Sequence, residues 1–334
     1  MKQREAFIAV TYRCNSRCSM CNIWKTENLK EMLPSEYSKL PTTLDTINIT
    51  GGEPFLRNDL AEIVQVIHRR IPGVRIVFST NGSLTDVIVD RIREIRAFHP
   101  RVGVGVSIDG LAATHDQIRG VKGLFDKAIA TLESLKAQGL TDLRLAMTIQ
   151  QENYREASEV FAISQKLGVE FSATMVHNSE IYFRKSDNTR PLSDSDANEA
   201  IKPVVDSLLR SRRIKDWLRA YHMNGMIDPS VRASFHSRCQ AGRRYFFVTP
   251  EGDVYPCNVM DFRIGNMTEI EDWSQLWTQL AGEKLDAAVT GCGHDCWMVC
   301  NTRSIMATHP LRVGAWISKR KLTLRRASVK PQSQ

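Results

Sequence analysis

From residue 6 to about 176, short apolar runs alternate with amphipathic stretches of helical period. That is the pattern of parallel strands joined by crossover helices. Six runs read as strands: "FIAVTY" (7–12), "TINIT" (46–50), "VRIVFST" (74–80), "VGVGVSI" (102–108), "LRLAMTI" (143–149) and "VEFSATMV" (169–176). Between them "DLAEIVQVIHRR", "DVIVDRIREIRAF", "FDKAIATLESLKAQ" and "REASEVFAISQKL" read as helices, with Gly139 and Gly168 where the last two want a left-handed cap. Six units fall short of a closed eight-stranded barrel, so the expected fold class is α/β, a partial (β/α)6 TIM-type barrel.

The pattern changes after residue 176. "IYFRKSDNTRPLSDSDANEAIK" (181–202) is polar and reads as a connecting loop, after which Ser193 or Asp194 can cap a helix running to about Leu218. The remainder is short of helical periodicity and holds five of the eight cysteines, which predicts a small domain organised by metal. The expected division is a core over 1–220, a cysteine-rich domain over 221–310 and a basic tail over 311–334.

Composition narrows the partners. With 334 residues, 42% of them hydrophobic, the chain can bury a large core. No run approaches the roughly eighteen apolar residues of a spanning helix, and the start lacks a signal peptide's apolar region, so the expected location is cytoplasmic. The net charge of +8 sits at one end: residues 301–334 hold eight Lys or Arg and no acid, leaving 37 bases against 37 acids elsewhere. A neutral body argues against specific nucleic-acid binding, which spreads basic charge over a face. In the tail, Val313, Trp316, Ile317 and Leu324 share one helical stripe, which suits packing on the domain or peripheral contact with an anionic membrane.

A reducing compartment keeps thiols free, so clustered cysteines point to metal. Cys14, Cys18 and Cys21 form C-x3-C-x2-C directly after the first strand. Thiolates this close suit several corners of one iron–sulfur cubane with one iron left open; zinc, which wants a fourth ligand, is the alternative. Polar motifs follow the next strands: "GGEP" (51–54), "TNG" (80–82) and "SIDG" (107–110). Parallel α/β folds bind ligands at the carboxyl ends of their strands, so the four motifs converge on one mouth. His68 and His99, at helix ends, read as solvated.

With these motifs the sequence resembles the radical S-adenosylmethionine (SAM) superfamily, through the cysteine trio, "GGEP" and "VSIDGLAATHDQIRGVKGLFDKAI". The resemblance implies that Cys14, Cys18 and Cys21 hold a [4Fe-4S] cluster whose fourth iron is chelated by SAM. It also implies that an electron, supplied by a reducing partner such as flavodoxin or ferredoxin, cleaves SAM to a 5′-deoxyadenosyl radical that abstracts a substrate hydrogen. The residues suit that transfer. Gly51 and Gly52 let backbone approach a ligand, Glu53 offers an acceptor for an ammonium, and Asn81 joins them from "TNG". Ser107 and Asp109 suit ribose hydroxyls or the ligand's polar end, and Arg119 suits a carboxylate in fork geometry. The backbone near Ile23 would contact adenine; Met20 stands where the family usually has an aromatic residue, and its thioether can pack on the same face.

Farther on, Cys239 and Cys257 flank a hairpin-like "TPEGDVYPC" turn, while Cys292, Cys296 and Cys300 follow at spacings of four, one face if helical. This resembles the C-terminal auxiliary-cluster extensions of the same superfamily, the SPASM and twitch types. The C-x2-C-x5-C-x3-C run of the full SPASM pattern is absent, so one auxiliary [4Fe-4S] cluster is expected, with zinc the alternative for these thiolates. The expected function is a radical SAM enzyme that oxidises, epimerises or otherwise modifies a C–H bond of a small molecule, such as a sugar or lipid-linked metabolite, because the first strand begins by residue 7 with no peptide-recognition domain before it. A peptide-modifying maturase is the alternative. A non-catalytic iron–sulfur electron carrier or metal-stabilised binding protein is the alternative of another class.

Overall fold

The computed structural model describes residues 3–27, 30–188, 192–233, 239–292 and 296–329. All six expected strands form: β1 (Glu5–Thr11), β2 (Thr46–Gly51), β3 (Arg75–Thr80), β4 (Val102–Ser107), β5 (Leu143–Ile149) and β6 (Glu170–Met175). They lie parallel in spatial order β6-β5-β4-β3-β2-β1. Helices α1 (Leu60–Arg70), α2 (Thr85–Phe98), α3 (Ala112–Arg119), α4 (Leu124–Ala137) and α5 (Ala157–Leu167) carry the chain between strands. α1 shows why: Leu60, Ile63, Val64 and Ile67 make one apolar stripe, and all four are buried. The first crossover is different, with only 3-10 turns at Ile23–Lys25 and Pro34–Lys39, so the cysteine loop is not wound into a helix.

Beyond β6 several expectations need correcting. Ser193 does cap α6 (Asp194–Arg210), its hydroxyl accepting from the Asp196 N–H. The helix expected to reach Leu218 is two, however, because α7 (Ile214–Ile227) starts anew after a break at Ser211. There the Ser211 hydroxyl bonds the Asp216 carboxylate at 2.6 Å and accepts from the Arg213 N–H at 3.0 Å, a local alternative to helical bonding. The division expected at 220 falls inside α7, where Ala220, Tyr221 and Met223 are buried in the barrel's own core.

After α8 (Pro229–Ala233), the cysteine-rich segment continues the barrel's sheet. β7 (Tyr245–Val248) pairs parallel with β1, Glu5 opposite Tyr245, and β8 (Asp253–Tyr255) and β9 (Gly265–Asn266) follow antiparallel as the expected hairpin and one strand more. β7 thereby covers an edge of β1 that a bare half-barrel would leave open.

The rest is more helical than its sequence suggests: α9 (Gln279–Thr290), α10 (Val299–Thr308) and α11 (Pro310–Val329). α10 buries Asn301, Thr302 and Ser304 beside Cys300 and Ile305, so its inner face carries no apolar stripe to read. α11 packs on α6 and α7, with Val313 and Ile317 buried and Trp316 and Leu324 half-buried. Its Lys321 ammonium donates to the Leu209 carbonyl at 2.7 Å and lies 3.8 Å from the Trp217 ring centroid. The stripe offered to a membrane is therefore an internal face, and no described helix is long and apolar enough to cross a membrane. His99 is also corrected: it is fully buried, with its Nδ1 2.9 Å from that of His68.

Candidate active site

β1 ends at Thr11, and the chain passes directly into the loop of Cys14, Cys18 and Cys21. Three neighbours pin this loop. The end of α3 meets it first: the Arg17 N–H donates to the Arg119 carbonyl at 2.9 Å and the Ser19 N–H to the Ile118 carbonyl at 2.8 Å. The segment after β6 holds the other flank, where the Asn22 N–H donates to the Phe183 carbonyl at 2.8 Å and the Asn188 amide to the Met20 carbonyl at 3.1 Å. "GGEP" closes the third side, with the Gly52 N–H on the Thr11 carbonyl at 2.7 Å and the Glu53 N–H on the Arg13 carbonyl at 2.8 Å. A Cβ on Gly51 would stand 2.1 Å from the Thr11 oxygen, and one on Gly52 2.1 Å from the Arg13 oxygen. The close approach these glycines allow is to backbone at the end of β1 and the start of the cysteine loop.

Cys14, Cys18 and Cys21 border one cavity of about 310 Å³ together with Gly51, Gly52, Asn81, Ser107, Arg119, Ile23 and Met20. Glu53 and Asp109 do not border it. Glu53 is fully buried, and its carboxylate accepts from the Thr80 hydroxyl and the Asn81 N–H, both at 2.8 Å, and from the Phe55 N–H at 3.3 Å. Burial outweighs these bonds and lifts its pKa to about 7. Asp109, equally buried, accepts from the Thr148 N–H at 2.7 Å and pairs with Arg119 at 2.6 Å. Arg119 in turn lies 3.7 Å from the Cys18 sulfur. Burial alone would lower the Arg119 guanidinium, but Asp109 and Cys18 outweigh it and hold it above its ordinary value. Neither acid borders the cavity itself, and each is joined to it through a neighbour, Glu53 through Asn81 and Asp109 through Arg119.

Burial pushes the Cys14 and Cys21 thiols up to about 12 and raises Cys18 as well. The sulfurs thus want a cation before they ionise. No three His, Cys, Asp or Glu groups among the described residues converge on a single-ion position. The trio stands around a cavity wall instead, which fits the spread corners of an iron–sulfur cluster better than zinc, whose thiolates must meet about 2.3 Å from one point.

Sequence reasoning missed part of this wall. Tyr182, Phe183, His177, Asn258 and Met298 also border the cavity, and the Tyr182 hydroxyl lies 2.6 Å from that of Thr50. The aromatic pair in "IYF", apolar within a polar stretch, was the available signal.

A second cavity of about 490 Å³ occupies the barrel interior and shares Thr50, Ser107, Thr148 and Tyr182 with the first. Cys257 and Cys300 border it. Around them the C-terminal cysteines gather: the Cys239 sulfur lies 3.3 Å from the Tyr245 hydroxyl, and that of Cys257 accepts from the Met260 N–H at 3.3 Å. Burial first, then the neighbouring thiols, push Cys257 up to about 11 and Cys296 up to about 12, with Cys239 and Cys292 among the neighbours of both. Cys300 is raised by burial, Glu5 and the same group. The spacing of four is not one helical face: Cys292 follows α9, Cys296 lies in coil and Cys300 opens α10, while 293–295 lie outside the described residues.

Comparison with known proteins gives this arrangement a lineage. The radical SAM superfamily model matches residues 8–162, and the SPASM model, an iron–sulfur cluster-binding domain, matches 239–300. The mycofactocin maturase MftC of Mycolicibacterium smegmatis is 27% identical over 316 residues, covering 85% of this chain and 74% of its own. The AdoMet-dependent heme synthase of Methanosarcina barkeri is 25% identical, covering 80% of each chain. The subtilosin biosynthesis protein AlbA of Bacillus subtilis, named for an antilisterial bacteriocin, is 25% identical over 78% of this chain and 57% of its own. Among solved structures, Streptococcus suis SuiB bound to S-adenosylmethionine shares the fold, with a TM-score of 0.65 at 15% identity, covering 85% of this chain and 68% of that one. The chain belongs to the radical SAM superfamily: it is an enzyme that binds SAM and a [4Fe-4S] cluster and carries a SPASM iron–sulfur cluster-binding domain.

Proposed function

We propose that this enzyme modifies a peptide, with the trio of Cys14, Cys18 and Cys21 holding the SAM-binding cluster and the C-terminal cysteines one auxiliary [4Fe-4S] cluster. The observation that carries the reading is the match to a maturase over 85% of the chain. A bacteriocin-biosynthesis protein matching 78% of the chain supports it. The small-molecule expectation rested on the lack of a domain before β1, and that is the weaker ground.

The bound cluster and SAM would supply the radical that removes a substrate hydrogen. The chain's own part is placement. Arg119, aimed by Asp109, lies beside Cys18, where it suits the SAM carboxylate; Asn81, held by Glu53, and Ser107 offer polar groups to the rest of the ligand. Tyr182 stands on the wall common to both cavities, between cofactor and substrate. Heme synthesis is the second reading, favoured by the heme synthase match over 80% of both chains.

The test is anaerobic incubation of reconstituted enzyme with SAM, dithionite and either a peptide encoded by a neighbouring gene or an iron coproporphyrin. A mass change in the peptide with 5′-deoxyadenosine release is expected. Turnover of the porphyrin with the peptide unchanged would overturn the reading. Replacing Cys14, Cys18 and Cys21 together with alanine should abolish SAM cleavage and leave about four irons per chain, one cubane's complement.

A further inference from the structure

The interior cavity holds several cations, and most are matched. Lys215 lies 3.5 Å from Glu170, Arg219 pairs with the same carboxylate and lies 3.4 Å from Asp216, and Arg303 pairs with Glu5, three acids for three cations. Arg144, on β5, is different. It borders the cavity, its Nη2 is covered without a hydrogen-bond partner, and its guanidinium forms no ion pair among the described residues. Gly105 on β4 gives it room: a Cβ there would meet the Arg144 Cγ at 3.2 Å and Nε at 3.3 Å. The acids nearest in charge are engaged elsewhere, Asp142 by Arg75 at 2.6 and 2.8 Å and Glu170 by Arg219. Burial, then Arg303 and Arg75, lower the Arg144 guanidinium to about 10, which leaves it charged at neutral pH.

Arg144 also borders a neighbouring cavity of about 420 Å³, where the acids Glu5, Asp142 and Glu170 are already paired, so its guanidinium can still take an anion from the interior side. One unmatched cation balances one negative charge, which suits a carboxylate and leaves the second charge of a phosphate without a partner. The remaining lining includes Phe7, Phe171, Leu218, Phe247 and Met306, an apolar surface for the group next to that anion. At about 490 Å³ the space takes one or two residues of a peptide, not a folded stretch.

We propose that Arg144 anchors the substrate by a single carboxylate, which places an adjoining apolar side chain against the wall shared with the SAM cavity. That the carboxylate belongs to a peptide rests on the function proposed above; the anchoring itself does not.

The test is calorimetric binding to the reconstituted holoenzyme with SAM present. The ligands are N-acetylphenylalanine, its amide, N-acetylglutamylphenylalanine amide, phenyl phosphate and N-acetylglycylglycylphenylalanine. At least one carboxylate should bind about ten- to a hundredfold tighter than the neutral amide, the margin of a charge-assisted bond. A terminal source is indicated by the first ligand, a side-chain source by the third. The preference should vanish in Arg144→Gln and survive in part in Arg144→Lys, which keeps the charge and loses the fork. Equal affinity of wild-type enzyme for the neutral amide and for both carboxylates overturns the proposal whatever the variants do. So does an undiminished preference in Arg144→Gln, or tighter binding of phenyl phosphate than of either carboxylate. If N-acetylphenylalanine shows the preference and the glycine-extended peptide fails to bind, Arg144 stands and the peptide reading falls. If the extended peptide binds without any acid preference, the reverse holds.

Discussion

Gly51 and Gly52 set the tolerance of the cofactor end to about an atom's width. Alanine at Gly51 puts a Cβ 2.1 Å from the carbonyl oxygen that ends β1, and at Gly52 2.1 Å from one in the cysteine loop, and Gly51 also sits at φ +140, where a side chain is strained. Overpacking of this kind costs roughly 1–3 kcal/mol. Gly52→Ala should therefore lower both the urea midpoint and the iron retained per chain. Asp109→Asn leaves the buried Arg119 without its carboxylate and is expected to cost about 3–5 kcal/mol, read from the same midpoint. The buried titrating groups also set a pH dependence. Burial lowers His115 to about 3 and His222 to about 4, so each binds its proton in the unfolded chain near pH ~6.5 but not in the folded one. Their stabilisation is present above that pH and is lost as it falls. Glu53 acts in the opposite sense, since a folded pKa of about 7 means that it gains its proton before the unfolded chain does. His99, lowered by burial and by His68, acts in the same sense as the other two histidines, so three histidines outweigh one carboxyl and stability falls as the pH drops below about 6.5. Urea midpoints between pH 7 and 5 should show that fall in the wild type and a shallower one in His115→Gln. The residue identities at this site were legible in the sequence, but their directions were not. An acid in "GGEP" or "SIDG" can face a ligand or its own backbone, and only the fold shows that Glu53 and Asp109 turn inward.

Elements were legible where burial leaves a simple trace. Barrel strands covered on both faces print as apolar runs, and β4 is buried at every position from Val102 to Val106; β5 instead alternates buried and half-buried positions, the other legible trace. α10 was hidden because its inner face is polar, and the break before α7 because it rests on one serine's hydrogen bonds. α11 shows how a stripe can be read correctly and its partner missed. Val313 and Ile317 face α6 and α7, so Ile317→Ala should cost about 2 kcal/mol or more. Removing residues 310–334 should reduce solubility without altering sedimentation with anionic vesicles. Equal solubility together with lost vesicle binding would restore the membrane role.

At the scale of the molecule, two cysteine groups far apart in sequence belong to one sheet. The first begins just past β1, and the second is carried around β7, which pairs onto β1's outer edge, and β8, which pairs onto β7. The order of synthesis follows from that pairing. β1 leaves the ribosome early, yet its β7 partner lies about 240 residues later, on the order of ten to fifty seconds at ordinary elongation rates. Through that interval the barrel has an unpaired edge beside its cysteine loop. Non-local pairing of this kind is slow to form, and an exposed edge invites wrong partners. The cysteine loop of the nascent chain thus sits beside an open flank until β7 closes it.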